Sequence, residues 1–273
     1  MPGMGVEPAA FTRRAAALAL AAATALLSSS LLFGQDSAIF DVVAMRDVKT
    51  RELMTAARVA VFGGPGGVAL LRSMRFKGRT RFPAEDGSLI PGTVEIRVLL
   101  PDNYLRIDTA GFGRRLTGFS GNTTLSVIEG ATGKTTQDPG DAKAILIGNR
   151  VELARLMLGV AAYTSPAMPV ALFTRDTPRE MPGPSDPLGI DAASDNGFTA
   201  RLMLDGKTRT PARVVFWSPD KTVLTTTFTD RRSTGGMKAP YSIITTAGDR
   251  ILDEMLFDEI AVNPKLGKAD FGR

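Results

Sequence analysis

The sequence predicts an α+β fold that is mainly antiparallel β-sheet, with about ten strands and two or three helical segments. Two observations predict the strands: apolar residues recur with period two over many short segments, and turn residues separate these segments at close intervals. A third observation predicts the helical part: one long apolar stretch with helical spacing interrupts the strands after residue 140. Short strands with regular turns are typical of antiparallel sheet.

The N-terminal segment predicts export. Arg13 and Arg14 precede an apolar run rich in small residues, Ala15–Phe33. A basic segment before such a run is typical of a secretory signal peptide, although the run is also nearly long enough to serve as an uncleaved membrane anchor. We therefore predict a signal segment over residues 1–35, a single domain over residues 36–273, and a periplasmic protein.

The composition excludes several classes of enzyme. The chain contains no cysteine and no histidine. Disulfides, thiol nucleophiles, thiolate metal sites, Ser-His-Asp catalysis and histidine-containing zinc or iron sites are thereby excluded. Carboxylate chemistry, Ser-Lys pairs and calcium or magnesium sites remain, but no cluster of such residues stands out. We expect a protein that is not an enzyme and that holds no cofactor and no metal.

The first helix is predicted over Thr50–Phe62, where apolar residues follow helical spacing and the glycines of Gly63–Gly67 end the pattern. A short helix is predicted after it, over residues 68–74. Strands follow, and their predicted segments are 73–82, 92–100, 103–110, 114–121, 123–130, 197–206, 211–219, 221–233, 241–248 and 249–264. In the first strand, Met74, Phe76 and Phe82 fall on the face opposite Arg75, Lys77, Arg79 and Arg81.

An insertion is predicted at about 141–188. Its first part, Asp141–Tyr163, is apolar with helical spacing and is predicted to be a helix that covers the sheet. Its second part contains six prolines between Pro166 and Pro187. Because proline is excluded from helix interiors and central strands, this part is predicted to be a long loop or lid.

The segment from Gly130 to Thr135, "GATGKT", is superficially similar to a phosphate-binding loop. Such a loop needs four residues between its first glycine and its Gly-Lys pair, and only Ala131 and Thr132 stand there. Pro139 and Gly140 follow where a helix would have to begin. The segment is therefore predicted to be a hairpin turn.

The order of these elements, with four local motifs, resembles the LolA/LolB-like superfamily of outer-membrane lipoprotein-sorting proteins and their relatives. The motifs are "VLLPDNYLRID" (98–108), "GFSGNTTLSVIEG" (118–130), "TFTDRRSTGGMKAPYSIITTAGDRI" (227–251) and "IAVNPKLGKADF" (260–271). The resemblance implies a curved, incomplete β-barrel around covering helices, with an apolar cavity between them. It also implies a periplasmic carrier whose partner is a lipid or an acylated protein, served by an inner-membrane exporter or regulator. The alternative is an envelope sensor or interaction module that docks a protein partner.

The candidate cavity residues come from both the strands and the covering helix. They are Met74, Phe76, Val94, Ile96, Val98, Leu153, Leu156, Met157 and Val160, with Trp217 as a further wall residue. The sequence departs from the resemblance at one point. The carrier has an arginine before the proline of its strand-turn motif, where it latches the lid, and Leu100 stands at that position here. The resemblance therefore predicts the fold more directly than it predicts lipoprotein shuttling.

Two charged groups have alternative interpretations. The basic strip, defined as Arg75, Lys77, Arg79 and Arg81, could contact anionic head groups in a peripheral membrane contact, or it could be an ordinary charged outer face. No nucleic-acid recognition motif is present, so we expect no nucleic-acid partner.

A second charged group is acidic and lies near the C-terminus. It could supply a carboxylate pair or a calcium site, but neighbours in a strand point to opposite faces. Its members are Asp253, Glu254, Asp258 and Glu259. A solvated face is the favoured interpretation of these four residues.

Overall fold

The computed structural model describes residues 47–64, 67–84, 87–137, 141–162, 170–173, 188–194, 198–218 and 221–271. The predicted signal segment and most of the predicted lid lie outside these ranges, so the signal peptide, the domain boundaries and the periplasmic location stay predictions. Among the described residues, no helix has the length and apolar character needed to cross a membrane.

Two α-helices are present, as predicted. Helix α1 spans Val48–Phe62 and begins at Asp47, whose carboxylate accepts a 2.7 Å hydrogen bond from the Thr50 amide. Helix α1 ends at Gly63, whose positive φ of 73° suits a glycine C-cap. Helix α2 spans Ala142–Gly159. The short helix expected at 68–74 is only a 3₁₀ turn, Gly67–Leu70, because the chain is already extended from Ser73.

Among the described residues, thirteen strands form one sheet, three more than the ten segments that the sequence predicts. Their bounds are β1 Ser73–Pro83, β2 Leu89–Leu99, β3 Asn103–Ala110, β4 Gly113–Ser120, β5 Thr123–Gly130, β6 Thr135–Gln137, β7 Val170–Phe173, β8 Gly189–Ser194, β9 Thr199–Leu204, β10 Pro211–Trp217, β11 Val223–Thr234, β12 Met237–Ala247 and β13 Arg250–Val262. The added strands are β6, β7 and β8. The first part of the predicted lid therefore contains a strand, β7, at an edge of the sheet, where nearby prolines are tolerated.

The sheet is antiparallel throughout and open. Its order is β6-β5-β4-β3-β2-β1-β13-β12-β11-β10-β9-β8-β7, so the described strands do not close into a barrel. Irregular pairing at Lys77/Gly78 and at Thr245/Thr246 marks bulges, which bend a sheet. Gly78 is required at the first bulge, because a Cβ there would lie 2.2 Å from the Leu256 carbonyl oxygen. The predicted curved, incomplete barrel is confirmed.

The two helices cover the concave face of this sheet. Helix α1 packs against β12 and β7, and α2 packs across β3, β4, β5 and β10. A small second cluster on the convex face joins Leu105 and Ile107 of β3 to Phe271 of the 3₁₀ turn Lys268–Phe271. The "GATGKT" segment is a hairpin turn between β5 and β6, in which the Gly133 amide donates to the Gly130 carbonyl at 2.8 Å.

Candidate functional site

Nine of the ten candidate cavity residues converge on one apolar cluster between the sheet and α2. The strands contribute Met74, Phe76, Val94, Ile96 and Val98, and the helix contributes Leu153, Leu156, Met157 and Val160. All nine are almost fully buried, with at most 6% of any of them exposed. They converge because period two places the strand residues on the concave face, while the helix lies directly over that face.

Trp217 does not join them. Val214 and Phe216 of β10 belong to the cluster, and Trp217 is the next residue along the strand, so it faces the convex side. Trp217 is half-buried, and the Lys221 ammonium lies 4.7 Å from its ring centroid. It is therefore left out of the site that we propose below.

The C-terminal end of α2 is held very close to the sheet. A Cβ on Gly159 would lie 2.2 Å from the ring of Phe228, so only glycine permits this approach. The guanidinium of Arg231, on β11, donates to the Gly159 carbonyl at 2.9 Å and also to the Pro211 carbonyl. Burial lowers the pKa of Arg231 to about 10. A cation at this position satisfies a terminal helix carbonyl and complements the helix dipole.

Arg155 is a charged residue in the middle of this apolar interface. Its side chain is 6% exposed. One of its terminal nitrogens donates to the hydroxyls of Thr226 on β11 and Thr245 on β12, at 3.0 and 2.7 Å. The other donates to Glu152, one turn earlier in α2. The guanidinium also lies 5.6 Å from the ring centroid of Phe216. Arg155 thus links the helix to the sheet by polar bonds, which the sequence did not predict.

A small void lies beside Arg155. It is lined by Ile96, Tyr104, Glu152, Arg155, Leu156, Phe228, Ile243 and Met255, and its volume is about 10 Å³. A space of this size holds about one water molecule. Within the described residues, the space beside α2 is therefore mainly apolar but too small for an acyl chain, so binding of a chain would require the cluster to open.

A buried ionic cluster, defined as Arg106, Asp108, Arg115 and Asp253, lies on the same concave face. The Nε of Arg106 donates to both oxygens of Asp108 at 2.9 and 3.0 Å, and its terminal nitrogens donate to both oxygens of Asp253 at 2.8 and 3.0 Å. Arg115 adds a 3.1 Å bond to Asp108. Burial raises the pKa of Asp253, but Arg106, Arg155 and Arg115 outweigh that effect, so the pKa is lower than usual.

The cluster corrects the expectation that Asp253 and Glu254 lie on a solvated face. The side chains of Asp253 and Glu254 are 16% and 8% exposed, and they pair with Arg106 and Arg81 on opposite faces of the sheet. Asp258 and Glu259, by contrast, are exposed. Among the described residues, no group of three or more acidic side chains is placed to hold a metal ion.

The basic strip lies on the convex face, and each of its cations faces a carboxylate on a neighbouring strand. The pairs are Arg75–Glu259 at 2.8 Å, Lys77–Glu95 at 3.7 Å, Arg79–Asp258 at 3.6 Å and Arg81–Glu254. Glu95 also pairs with Arg97 at 2.7 Å, so the four carboxylates face five cations, and each cation of the strip still has a carboxylate partner. This arrangement favours the interpretation of an ordinary charged outer face over that of a surface for anionic head groups.

Leu100, at the position of the carrier's latch arginine, packs against the apolar cluster. It follows β2 at the turn into β3, where Val98 pairs with Tyr104 as the strand-turn-strand motif predicts. Leu100 offers no charged group to a lid. The buried polar links from α2 to β11 and β12 are made instead by Arg155 and Arg231.

Comparisons with known proteins agree with this architecture. No protein-family model matches the chain, and no curated protein matches it significantly. The fold is similar to that of the LolA superfamily protein NE2245 from Nitrosomonas europaea, with a TM-score of 0.51 and 10% identity over 83% of this chain and 99% of that one. It is also similar to a DUF1329 family protein from Desulfovibrio piger, with a TM-score of 0.52 and 7% identity over 82% and 98% of the two chains. The predicted resemblance is confirmed at the level of the fold: the chain has a LolA-like fold.

Proposed function

We propose that the protein binds or carries a lipid, a lipoprotein acyl chain or another apolar ligand between the concave face of the sheet and α2, without catalysing a reaction. The observation that carries this proposal is the continuous apolar cluster between α2 and the sheet. Acyl chains bind to such a surface with about 0.8 kcal/mol of free energy per buried methylene, and no polar chemistry is needed. The LolA-like fold and the predicted signal segment support a periplasmic carrier.

The ionic cluster supports a function without catalysis. A general base needs an available carboxylate near the bound substrate. Asp108 is shielded from solvent and accepts from Arg106 and Arg115, and both oxygens of Asp253 accept from Arg106. Both carboxylates are therefore committed to structural ion pairs.

Among the described residues, neither the basic strip nor the convex apolar cluster favours the alternative function, docking of a protein partner. The basic strip is matched by carboxylates, and the convex apolar residues around Leu105 are covered by Phe271 of the same chain. An inner-membrane exporter or regulator stays a predicted partner.

Binding is tested first with a matched pair of variants. Ile96→Thr places a hydroxyl in the void, and Leu105→Thr makes a similar change on the convex face of the next strand; Ile96 and Leu105 are 2% and 3% exposed. Native mass spectrometry with lipid extraction, and uptake of a fluorescent acyl probe, report binding to the exported protein. We expect Ile96→Thr to weaken probe binding and Leu105→Thr to preserve it. If the wild-type protein carries no lipid and takes up no probe, the proposal is wrong.

Opening of α2 is tested by spin labelling, which is simple because the chain contains no native cysteine. In the first pair, labels at Lys143→Cys and Lys238→Cys report the distance between the exposed start of α2 and the sheet. In the control pair, labels at Arg79→Cys and Lys238→Cys report the distance between two strands. The acyl probe should lengthen the first distance and leave the second unchanged. An unchanged first distance in the saturated protein would show that the ligand binds elsewhere.

A further inference from the structure

Arg155 is held by two kinds of partner. Its bonds to Thr226 and Thr245 join α2 to the sheet, and the two hydroxyl oxygens lie only 3.0 Å apart. Its bond to Glu152 remains within α2, and the Glu152 side chain is 36% exposed. Within the described part of the chain, Glu152 is therefore the one carboxylate that forms an ion pair with Arg155, and water already reaches it, while Asp253 is near enough for Arg155 to lower its pKa.

Arg106 provides a contrast on the same concave face. It is shared by two carboxylates, Asp108 and Asp253, and all three residues belong to strands of the sheet. If α2 moved away, these ion pairs would remain intact. The bonds from Arg155 to the threonines would break, since they connect the helix to the sheet.

This difference constrains the ligand. A molecule that enters between α2 and the sheet at Arg155 takes both hydroxyl acceptors from one terminal nitrogen of the guanidinium, while the two hydroxyls keep their bond to each other and the other nitrogen keeps Glu152. Buried polar groups without partners are costly. A hydrocarbon chain or a neutral ester gives the guanidinium no adequate replacement. A carboxylate or a phosphate has several acceptor oxygens, so it can accept from the guanidinium and from both hydroxyls together.

We infer that the ligand is an anionic amphiphile whose carboxylate or phosphate lies between Arg155 and the hydroxyls of Thr226 and Thr245. Its hydrocarbon extends along the apolar wall formed by Ile96 and Leu156. This inference rests on the proposed function and adds the chemical class of the ligand.

The test compares three ligands with the same alkyl length: palmitate, hexadecyl phosphate and hexadecanol. Each displaces a neutral fluorescent acyl probe from the full exported protein. We expect at least one anion to bind about tenfold or more tightly than the alcohol, as a charge-assisted hydrogen bond in a buried site predicts. The ratio between palmitate and hexadecyl phosphate shows which anion the site prefers.

The Arg155→Met variant should lose the preference for anions, so that its ratio of anion affinity to hexadecanol affinity falls to about one. Arg150→Met is the matched control. Arg150 lies on the same helix, but it donates to Asn122 at 2.9 Å and does not line the void, so the preference should persist. If Arg155→Met fails to fold, the Thr226→Val/Thr245→Val double variant, which removes both hydroxyls, tests the same preference.

The outcomes separate the two proposals. If the wild-type protein binds all three ligands equally, or if Arg155→Met keeps the preference for anions, the inference about the headgroup is wrong and the proposed function stands. If the probe binds but none of the three ligands displaces it, the inference is likewise wrong and the proposed function stands; if the probe itself does not bind and no lipid is carried, both fail.

Discussion

The two halves of α2 differ in how they meet the sheet. In the C-terminal half, every residue from Leu153 to Gly159 is buried. In the N-terminal half, 142–152, only Ala144 and Asn149 are buried. A helix that is buried all round lies in a core, whereas a helix with partly exposed residues lies at a surface. One helix therefore has an anchored half and a peripheral half.

The attachments follow the same division. Arg155 and Arg231 tie the anchored half to β11 and β12, and Gly159 approaches Phe228 closely. The peripheral half has fewer buried ties: the Asn149 amide lies 3.4 Å from the Gly118 carbonyl, and Arg150 donates to Asn122 at 2.9 Å at the surface. Segments with few buried contacts open at lower free energy. We therefore expect α2 to open first at its N-terminal half, with the region around Gly159 as the pivot and the bonds of Arg155 to the sheet as the last to break.

The largest expected difference between the halves comes from removing leucine side chains. Leu153 is fully buried, so Leu153→Ala should lower the free energy of unfolding by about 3–5 kcal/mol through lost burial and a residual cavity. Leu146 in the peripheral half is only partly buried, so Leu146→Ala should cost about 1 kcal/mol. Urea denaturation of both variants checks this. Equal losses would contradict the division of the helix.

Alanine substitutions at two glycines of α2 are expected to have opposite effects on stability. Gly159→Ala places a methyl group against Phe228 and should destabilise the protein by about 1–3 kcal/mol. A Cβ on Gly148 meets no atom within 4 Å, so Gly148→Ala should stabilise the helix by about 0.5–1 kcal/mol. Thermal unfolding followed by circular dichroism measures both changes. The proposed pivot needs revision if Gly159→Ala is neutral.

The start of α2 is the next most sensitive point. The Asp141 carboxylate accepts a 2.9 Å hydrogen bond from the Lys143 amide, and Asp141→Ala should cost about 0.5–2 kcal/mol as the N-cap is lost. Hydrogen exchange should accelerate mainly in the peripheral half, 142–152, and little in 153–159. Uniform acceleration along the whole helix would indicate that α2 opens as a single unit.

Much of the fold could be predicted because its signals are local. The period-two pattern of β1–β5 and β9–β13, the turns between these strands and the helical spacing of α2 all depend on residues that are close in sequence. The same periodicity placed nine cavity candidates on the buried face of the sheet or of its covering helix. The strands β6 and β7 were missed because three and four residues are too few for a periodic pattern to show. The strand β8 has six residues, but its sequence GIDAAS contains just one large apolar side chain.

The polar part of the site could not be predicted because its partners are distant in sequence. Arg106 and Asp253 are 147 residues apart, and Arg155 and Thr245 are 90 apart. Alternation along β3 did place Tyr104, Arg106 and Asp108 on one face, and this was the signal available for the ionic cluster. An arginine in an apolar helix, such as Arg155, usually extends its charge to water, so a buried link to the sheet could not be expected from the helical pattern.

The smallest expected effect is the change in the free energy of unfolding with pH. It also distinguishes the halves of α2, because a charge in the anchored half lies near Asp253. Arg106 lowers the pKa of Asp253 most strongly among the neighbouring cations, and Arg155 of the anchored half contributes after it. Because the folded pKa lies below the ordinary value of 3.8, the stabilisation is complete above pH 3.8 and is lost as the pH falls through the folded pKa. Urea denaturation at a series of acidic pH values measures the loss.

Three variants show which groups this loss of stability depends on. Asp253→Asn should lose less stability than the wild type as the pH falls below 3.8, because the titrating group is absent. Arg155→Met should reduce the same pH dependence slightly. Arg150→Met should leave it unchanged, since Arg150 belongs to the peripheral half and lies 5.8 Å from the Phe119 ring centroid instead. An equal effect of Arg150→Met and Arg155→Met would mean that the pKa of Asp253 depends on charges along the whole of α2 and not on the anchored half alone.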